Sequence, residues 1–156
     1  SSKQVEKAKN IFWNNLHTLV SKRYKIQPVT AIDKLTNFYN QAIQTDRILL
    51  ENRKDNLILR VKLNDLKDDI DCFRSHSGYF SEYHASSLME LTKIINKKYQ
   101  TLSYYGFTKE NLTTFICKIE PTGIDRIVPI GRTMEFSSVW DGYELINTLS
   151  RRIEII

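Results

Sequence analysis

The chain has 156 residues, 41% of them hydrophobic and 26% charged, a balance that is ordinary for one globular domain and argues against intrinsic disorder. A net charge of +5 raises nucleic acid as a partner, but the cations are interleaved with acids, as in Lys62, Asp65, Lys67, Asp68 and Asp69, whereas binding requires them clustered on one face. No apolar run approaches the roughly 20 residues that span a bilayer, and the opening Ser1-Ser2-Lys3-Gln4-Val5 lacks the apolar run of a signal peptide. The expectation is a cytoplasmic setting, with no nucleic-acid partner and no membrane span.

Taken in chain order, residues 4–24 form an amphipathic helix. Val5, Ala8, Phe12, Leu16, Leu19 and Val20 recur at three- and four-residue steps, so they share one stripe. Pro28 closes a linker, and a second helix carries Ile32, Leu35, Phe38, Tyr39, Ala42 and Ile43. The period then shortens. Residues 57–63 alternate as a strand, Ile48-Leu49-Leu50 is a weaker one, and residues 78–84 are an aromatic-rich third. A short helix with Leu88, Leu91, Ile94 and Ile95 follows.

The last third alternates strand and helix. Residues 101–107 read as a strand, and Thr108 caps a helix holding Leu112, Phe115, Ile116 and Ile119. Residues 126–130 read as the next strand. Ser138-Val139-Trp140-Asp141 has capping-box spacing and opens a helix through Tyr143, Ile146 and Leu149, after which Ile153–Ile156 forms a terminal strand. Such alternation predicts an α/β fold with mostly parallel pairing and flanking helices. No repeat or Gly/Ser-rich linker divides the chain, so residues 1–156 read as a single domain. The densest basic groups, Lys22-Arg23-Tyr24-Lys25, Lys97-Lys98 and Arg151-Arg152, fall at predicted helix ends, where cations complement the helix dipole.

Few residues carry chemistry. The three histidines, His17, His76 and His84, have no metal-ligand spacing. Cys72 and Cys117 belong to no paired motif; Cys117, in an apolar helix, is expected to be buried and inert. Ser75-His76-Ser77-Gly78 supplies a hydroxyl and an imidazole without the nucleophile-elbow pattern, and a hydrogen-bonded turn is the expected reading. No glycine pattern wraps a pyrophosphate. Gly131 and Arg132 end a strand in a turn, where open α/β sheets bind ligands, so both are candidates for a cleft edge. Trp140, an aromatic anchor at the start of the last predicted helix, is a third substrate-side or cleft candidate, and Gly142 implies a close contact, since a helical glycine costs about 1 kcal/mol against alanine.

Three strings are unusual enough to carry a resemblance: Gly123-Ile124-Asp125-Arg126-Ile127-Val128-Pro129-Ile130-Gly131, Val139-Trp140-Asp141-Gly142-Tyr143-Glu144-Leu145-Ile146, and Leu149-Ser150-Arg151. They resemble the LuxC-type acyl-CoA reductases, a branch of the aldehyde dehydrogenase superfamily. Gln100–Phe107 looks like an earlier segment of the same family, and Gly78–Asn96 looks like the superfamily's Gly-Pro-Val strand and the helix after it. The likeness covers most of the chain, least clearly at residues 25–75.

The resemblance implies the late part of an aldehyde-dehydrogenase-like catalytic domain. It implies an enzyme that takes a fatty acyl group from CoA or an acyl-protein onto a cysteine and releases the aldehyde after hydride transfer from NADPH. The family's cysteine lies upstream of the matched region, and neither Cys72 nor Cys117 fits its setting, so this chain alone is expected to be inactive. Its partners would be the remainder of the parent enzyme and the acyl substrate, with a homo-oligomer as an outlet for an exposed strand edge. Where the superfamily places a ribose-binding glutamate, this chain has Arg74, Ser75, His76 and Ser77 before Gly78. Arg74, His76 and Gly78 are therefore the cofactor-side candidates by resemblance. The alternative is a non-catalytic binding or scaffold module that kept the fold.

Overall fold

The computed structural model describes residues 2–51 and 53–156. Where the sequence shows no internal division, the fold gathers into two compact units, Ser1–His84 and Ala85–Ile156. Helices and small sheets make up both, an α/β construction.

The first unit opens with two helices, α1 (Ser2–Arg23) and α2 (Pro28–Gln44). Lys22 and Arg23 close α1, and Pro28 starts α2 at the position where its missing N–H costs nothing. A three-stranded sheet follows, ordered β1 (Leu49–Leu50), β2 (Leu59–Lys62), β3 (Tyr79–Glu82). β1 runs antiparallel to β2, and β2 pairs parallel with β3 in the register Leu59 to Tyr79 and Lys62 to Glu82. A 3-10 helix, Asp68–Phe73, lies within the β2–β3 crossover. Leu59 and Val61 of β2, and Leu63 just past its end, alternate onto one face and bury with Tyr79, with Leu35, Phe38, Ile48, Leu50 and Ile70 packed around them. Burying each such side chain contributes roughly 1.5–3 kcal/mol.

The helix stripes differ from the expected ones. Trp13, Leu16, His17 and Val20 are the half-buried residues in the middle of α1, while Phe12 and Leu19 are exposed. On α2 the reversal is sharper. Lys34 (1% exposed) and Gln41 (0%) are the most buried side chains, while Val29, Ile32, Tyr39 and Ile43 face outward. Tertiary hydrogen bonds, described below, decide that orientation against hydropathy.

In the second unit β4 (Thr101–Tyr104) pairs parallel with β5 (Arg126–Pro129) through the crossover helix α3 (Lys109–Ile119). Thr108 caps α3 as expected, accepting from Asn111 N–H at 3.2 Å. α3 buries Leu112 and Phe115. Residues 88–95 form the 3-10 helix Leu88–Lys93, entered through a Ser87–Glu90 capping box, instead of an ordinary helix.

Two expectations for the C-terminal residues are corrected. Ser138–Asp141 does not open a helix: Val139–Trp140 is strand β6, Tyr143–Glu144 is β7, and they pair antiparallel across Asp141-Gly142. Both turn residues have positive φ (49° and 79°), the geometry for which Asp-Gly is suited. Only the short helix α4 (Leu145–Leu149) follows, and Ile153–Ile156 carries no strand. No helix of the described residues is long and apolar enough to cross a membrane.

Candidate functional site

Lys34 organises the first unit's site. Parallel strands begin at the same end of their sheet, and the carbonyls just before β2 and β3 collect there without ladder partners. The Lys34 Nζ donates to Leu57 O at 3.1 Å, to Ser77 O at 3.0 Å, and to Asn56 O. Burial lowers its pKa from the ordinary lysine value, opposed by the nearby Asp55 carboxylate. Further along α2, Gln41 Oε1 accepts from the Tyr79 hydroxyl, and burial pushes the Tyr79 pKa up to about 12. Gln41 Nε2 is buried without a hydrogen-bond partner.

Gly78 sits where these groups converge. Its φ is +84°, and a Cβ there would lie 2.3 Å from Leu57 O. Only glycine permits β3 to start this close to the entry of β2. The result is a cleft of about 490 Å³ lined by Val20, Tyr24, Ile26, Leu57, Gly78 and Phe80 among others, mainly apolar. Of the three cofactor-side candidates, Gly78 borders this cleft, while Arg74 and His76 are outside its lining. Arg74 closes the Asp68–Phe73 turn, its N–H directed to Asp71 O at 3.4 Å, and His76 is exposed in a bend. Ser75 Oγ is engaged by Asn37 Nδ2 at 2.7 Å. These residues form no phosphate cradle and do not fit a dinucleotide on their own.

Across the same unit, Glu82 anchors a charged cluster on the β3 edge. Lys9 Nζ reaches its carboxylate at 2.7 Å, and Arg60 Nη2 at 2.6 Å. Partial burial opposes ionisation of Glu82, but both cations outweigh it and hold its pKa below the usual value. The Arg60 guanidinium lies 4.5 Å over the Trp13 ring, which meets Phe80 edge-on at 5.2 Å. One turn along α1, His17 Nε2 is 2.8 Å from Asp55 Oδ2. Sequence spacing gave no signal of this pair, because its members are 38 positions apart.

The second unit's candidates lie at the end of β5. Gly131 forms an exposed turn with open space around it, and Arg132 N–H donates back to Pro129 O at 3.1 Å. The Arg132 guanidinium grips the Glu135 carboxylate at 2.5 Å and lines an open hollow of about 430 Å³ with Arg126, Pro129 and Phe136. The ion pair raises the Arg132 pKa and lowers that of Glu135. Trp140 is outside this lining but packs on two of its members: the Phe136 ring stacks at 5.3 Å, and the Arg126 guanidinium lies 4.2 Å over the indole. Arg126 also donates to Thr133 O at 3.1 Å and Glu135 O at 2.7 Å. The close contact expected at Gly142 is with Asp125, whose Oδ1 would be 2.9 Å from a Cβ at Gly142.

Cys72 and Cys117 are both free and exposed. For Cys117 this corrects the expected burial, because α3 turns Leu112 and Phe115 inward and Cys117 projects from another side. No group of three His, Cys, Asp or Glu side chains among the described residues is placed to hold a metal ion. Comparison with family models, curated proteins and solved structures finds no match.

Proposed function

We propose that the chain is the C-terminal, cysteine-distal part of the catalytic domain of an NADPH-dependent acyl-CoA reductase with an aldehyde-dehydrogenase-like fold. The parent enzyme reduces fatty acyl thioesters to aldehydes in the cytoplasm through a cysteine acyl-enzyme. The observation that carries this reading is that two of the three strings behind the family resemblance build one module. Arg126 of the first stacks on Trp140 of the second, and Asp125 of the first crowds Gly142 of the second. The residue types that make the strings unusual are the ones that make these contacts.

The extent of exposed surface supports the same reading. Two separate compact proteins of these units' lengths would together expose roughly 9,800 Å², whereas the chain exposes 12017 Å². Exposed apolar residues are concentrated on α1, α2 and the C-terminal tail, as expected of surfaces that another part of a larger fold covers. The residues that would hold NADPH belong to that remainder, since Arg74, His76 and Gly78 do not fit the cofactor alone. No step involving the cofactor is assigned to this chain.

In the parent, a thiolate attacks the thioester carbonyl and CoA leaves as its thiolate, giving a covalent acyl-enzyme. The test is to incubate the full gene product with radiolabelled palmitoyl-CoA without NADPH and map the label. The expected result is a hydroxylamine-sensitive acyl group on a cysteine preceding Ser1 and none on Cys72 or Cys117. Label on either of those would overturn the proposal. Absence of label anywhere would favour the alternative, a binding or scaffold module.

A further inference from the structure

We propose that a second hollow in the first unit is a binding site for a phosphate dianion of the phosphomonoester type. It has a volume of about 170 Å³ and is bordered by Trp13, His17, Arg53, Lys54, Asp55 and Arg60, among others. The inference does not rest on the reductase reading.

Three cations line this hollow against one carboxylate. Arg60 is already fixed, stacked on Trp13 and held to Glu82 Oε2 through Nε at 3.0 Å and Nη2 at 2.6 Å. Its Nη1 has no hydrogen-bond partner among the described residues. A guanidinium with its rotamer set in advance loses little freedom when it takes up an anion. Lys54 is steadied by Asn14 Oδ1 at 2.8 Å, which uses one of its three donors. Arg53 is exposed and has neither hydrogen bond nor ion pair among the described residues.

The one acid is already engaged. Asp55 Oδ1 accepts the Leu57 N–H at 2.8 Å, and Oδ2 faces His17 Nε2 at the same distance. Glu82, behind Arg60, is matched by Lys9 as well. An excess of cations with open donors, at a concave site, favours a compact anion that takes several hydrogen bonds at once. The volume is several times the roughly 30 Å³ share of a water molecule, so a phosphate group has room without moving the walls. Trp13, whose ring is the hollow's aromatic wall, is a built-in reporter.

The test uses the 156-residue chain with ¹⁵N-labelled indoles, Trp13 being told from Trp140 by Trp140→Phe. Inorganic phosphate and adenosine monophosphate are titrated against chloride at matched ionic strength, the two arms separating a free phosphate from an organic ester. The expected result is a saturable shift of the Trp13 indole in at least one phosphate arm, with Trp140 unmoved. Arg53→Ala combined with Lys54→Ala should weaken it at least tenfold. Should that pair unfold the chain, as read by circular dichroism, Lys54→Gln removes charge while keeping a donor towards Asn14 and should weaken binding threefold or more. An equal response to chloride, or binding that survives the charge removal, would overturn the site.

Discussion

A lysine inside a protein is costly unless its ammonium finds as many acceptors as it had in water. Lys34 meets that condition with backbone oxygens alone, those of Asn56, Leu57 and Ser77. Removing its amine while keeping the hydrophobic stem leaves buried carbonyls without a donor. Lys34→Met should therefore destabilise the first unit by roughly 2–5 kcal/mol, read as a lowered urea midpoint at unchanged slope. Tyr79 gives a pH signature. Its pKa, ordinarily 10.0, is raised to about 12, so the folded state holds the phenolic proton more tightly than the unfolded chain does. That contribution is fully present below pH 10 and is lost as pH rises through about 12, on the order of 2–3 kcal/mol. Tyr79→Phe should flatten this alkaline limb. At neutral pH it should cost about 1–2 kcal/mol, because Gln41 loses its partner. Neither Lys34 nor Gln41 was legible in the sequence. A polar residue on a helix reads as solvent-facing, and the hydrogen-bond partners that draw these two inward are between 22 and 43 positions away.

At the scale of elements, local signals were dependable where nothing competed with them. Thr108 caps α3, Pro28 begins α2, and the alternation at residues 57–63 places Leu59, Val61 and Leu63 on the core face. The failure at Ser138–Asp141 came from two overlapping signals. A Ser-x-x-Asp spacing suggests a helix start, but Asp-Gly suits a two-residue hairpin turn. The hairpin is the form in which Arg126 packs over the Trp140 ring and Asp125 leaves no room for a side chain at Gly142, constraints beyond any local window. Ile153–Ile156 had strand propensity but pairs with no strand among the described residues, and a strand without a ladder does not persist. The β2–β3 start depends on one residue. Gly78→Ala would force a Cβ against Leu57 O in left-handed backbone. It should cost 3 kcal/mol or more, on the order of strain plus a displaced ladder bond. The corresponding observation is faster amide exchange at Leu59, whose N–H donates to Gly78 O at 2.8 Å.

At the scale of the whole molecule, the α/β character was legible, and the excess of exposed surface was not. Composition reports how many apolar residues there are, but not how many find cover. Val29, Ile32, Tyr39 and Ile43 leave α2 with an apolar outer stripe. That stripe is the kind of surface that the proposed supporting portion of a larger thioester reductase would present to the part that covers it. The most direct measurement is aldehyde formation from palmitoyl-CoA and NADPH, followed by NADPH absorbance and by trapping the aldehyde, for the full gene product and for the 156-residue chain side by side. The account predicts turnover by the full product and none by the chain at any concentration. Aldehyde produced by these 156 residues alone would contradict it.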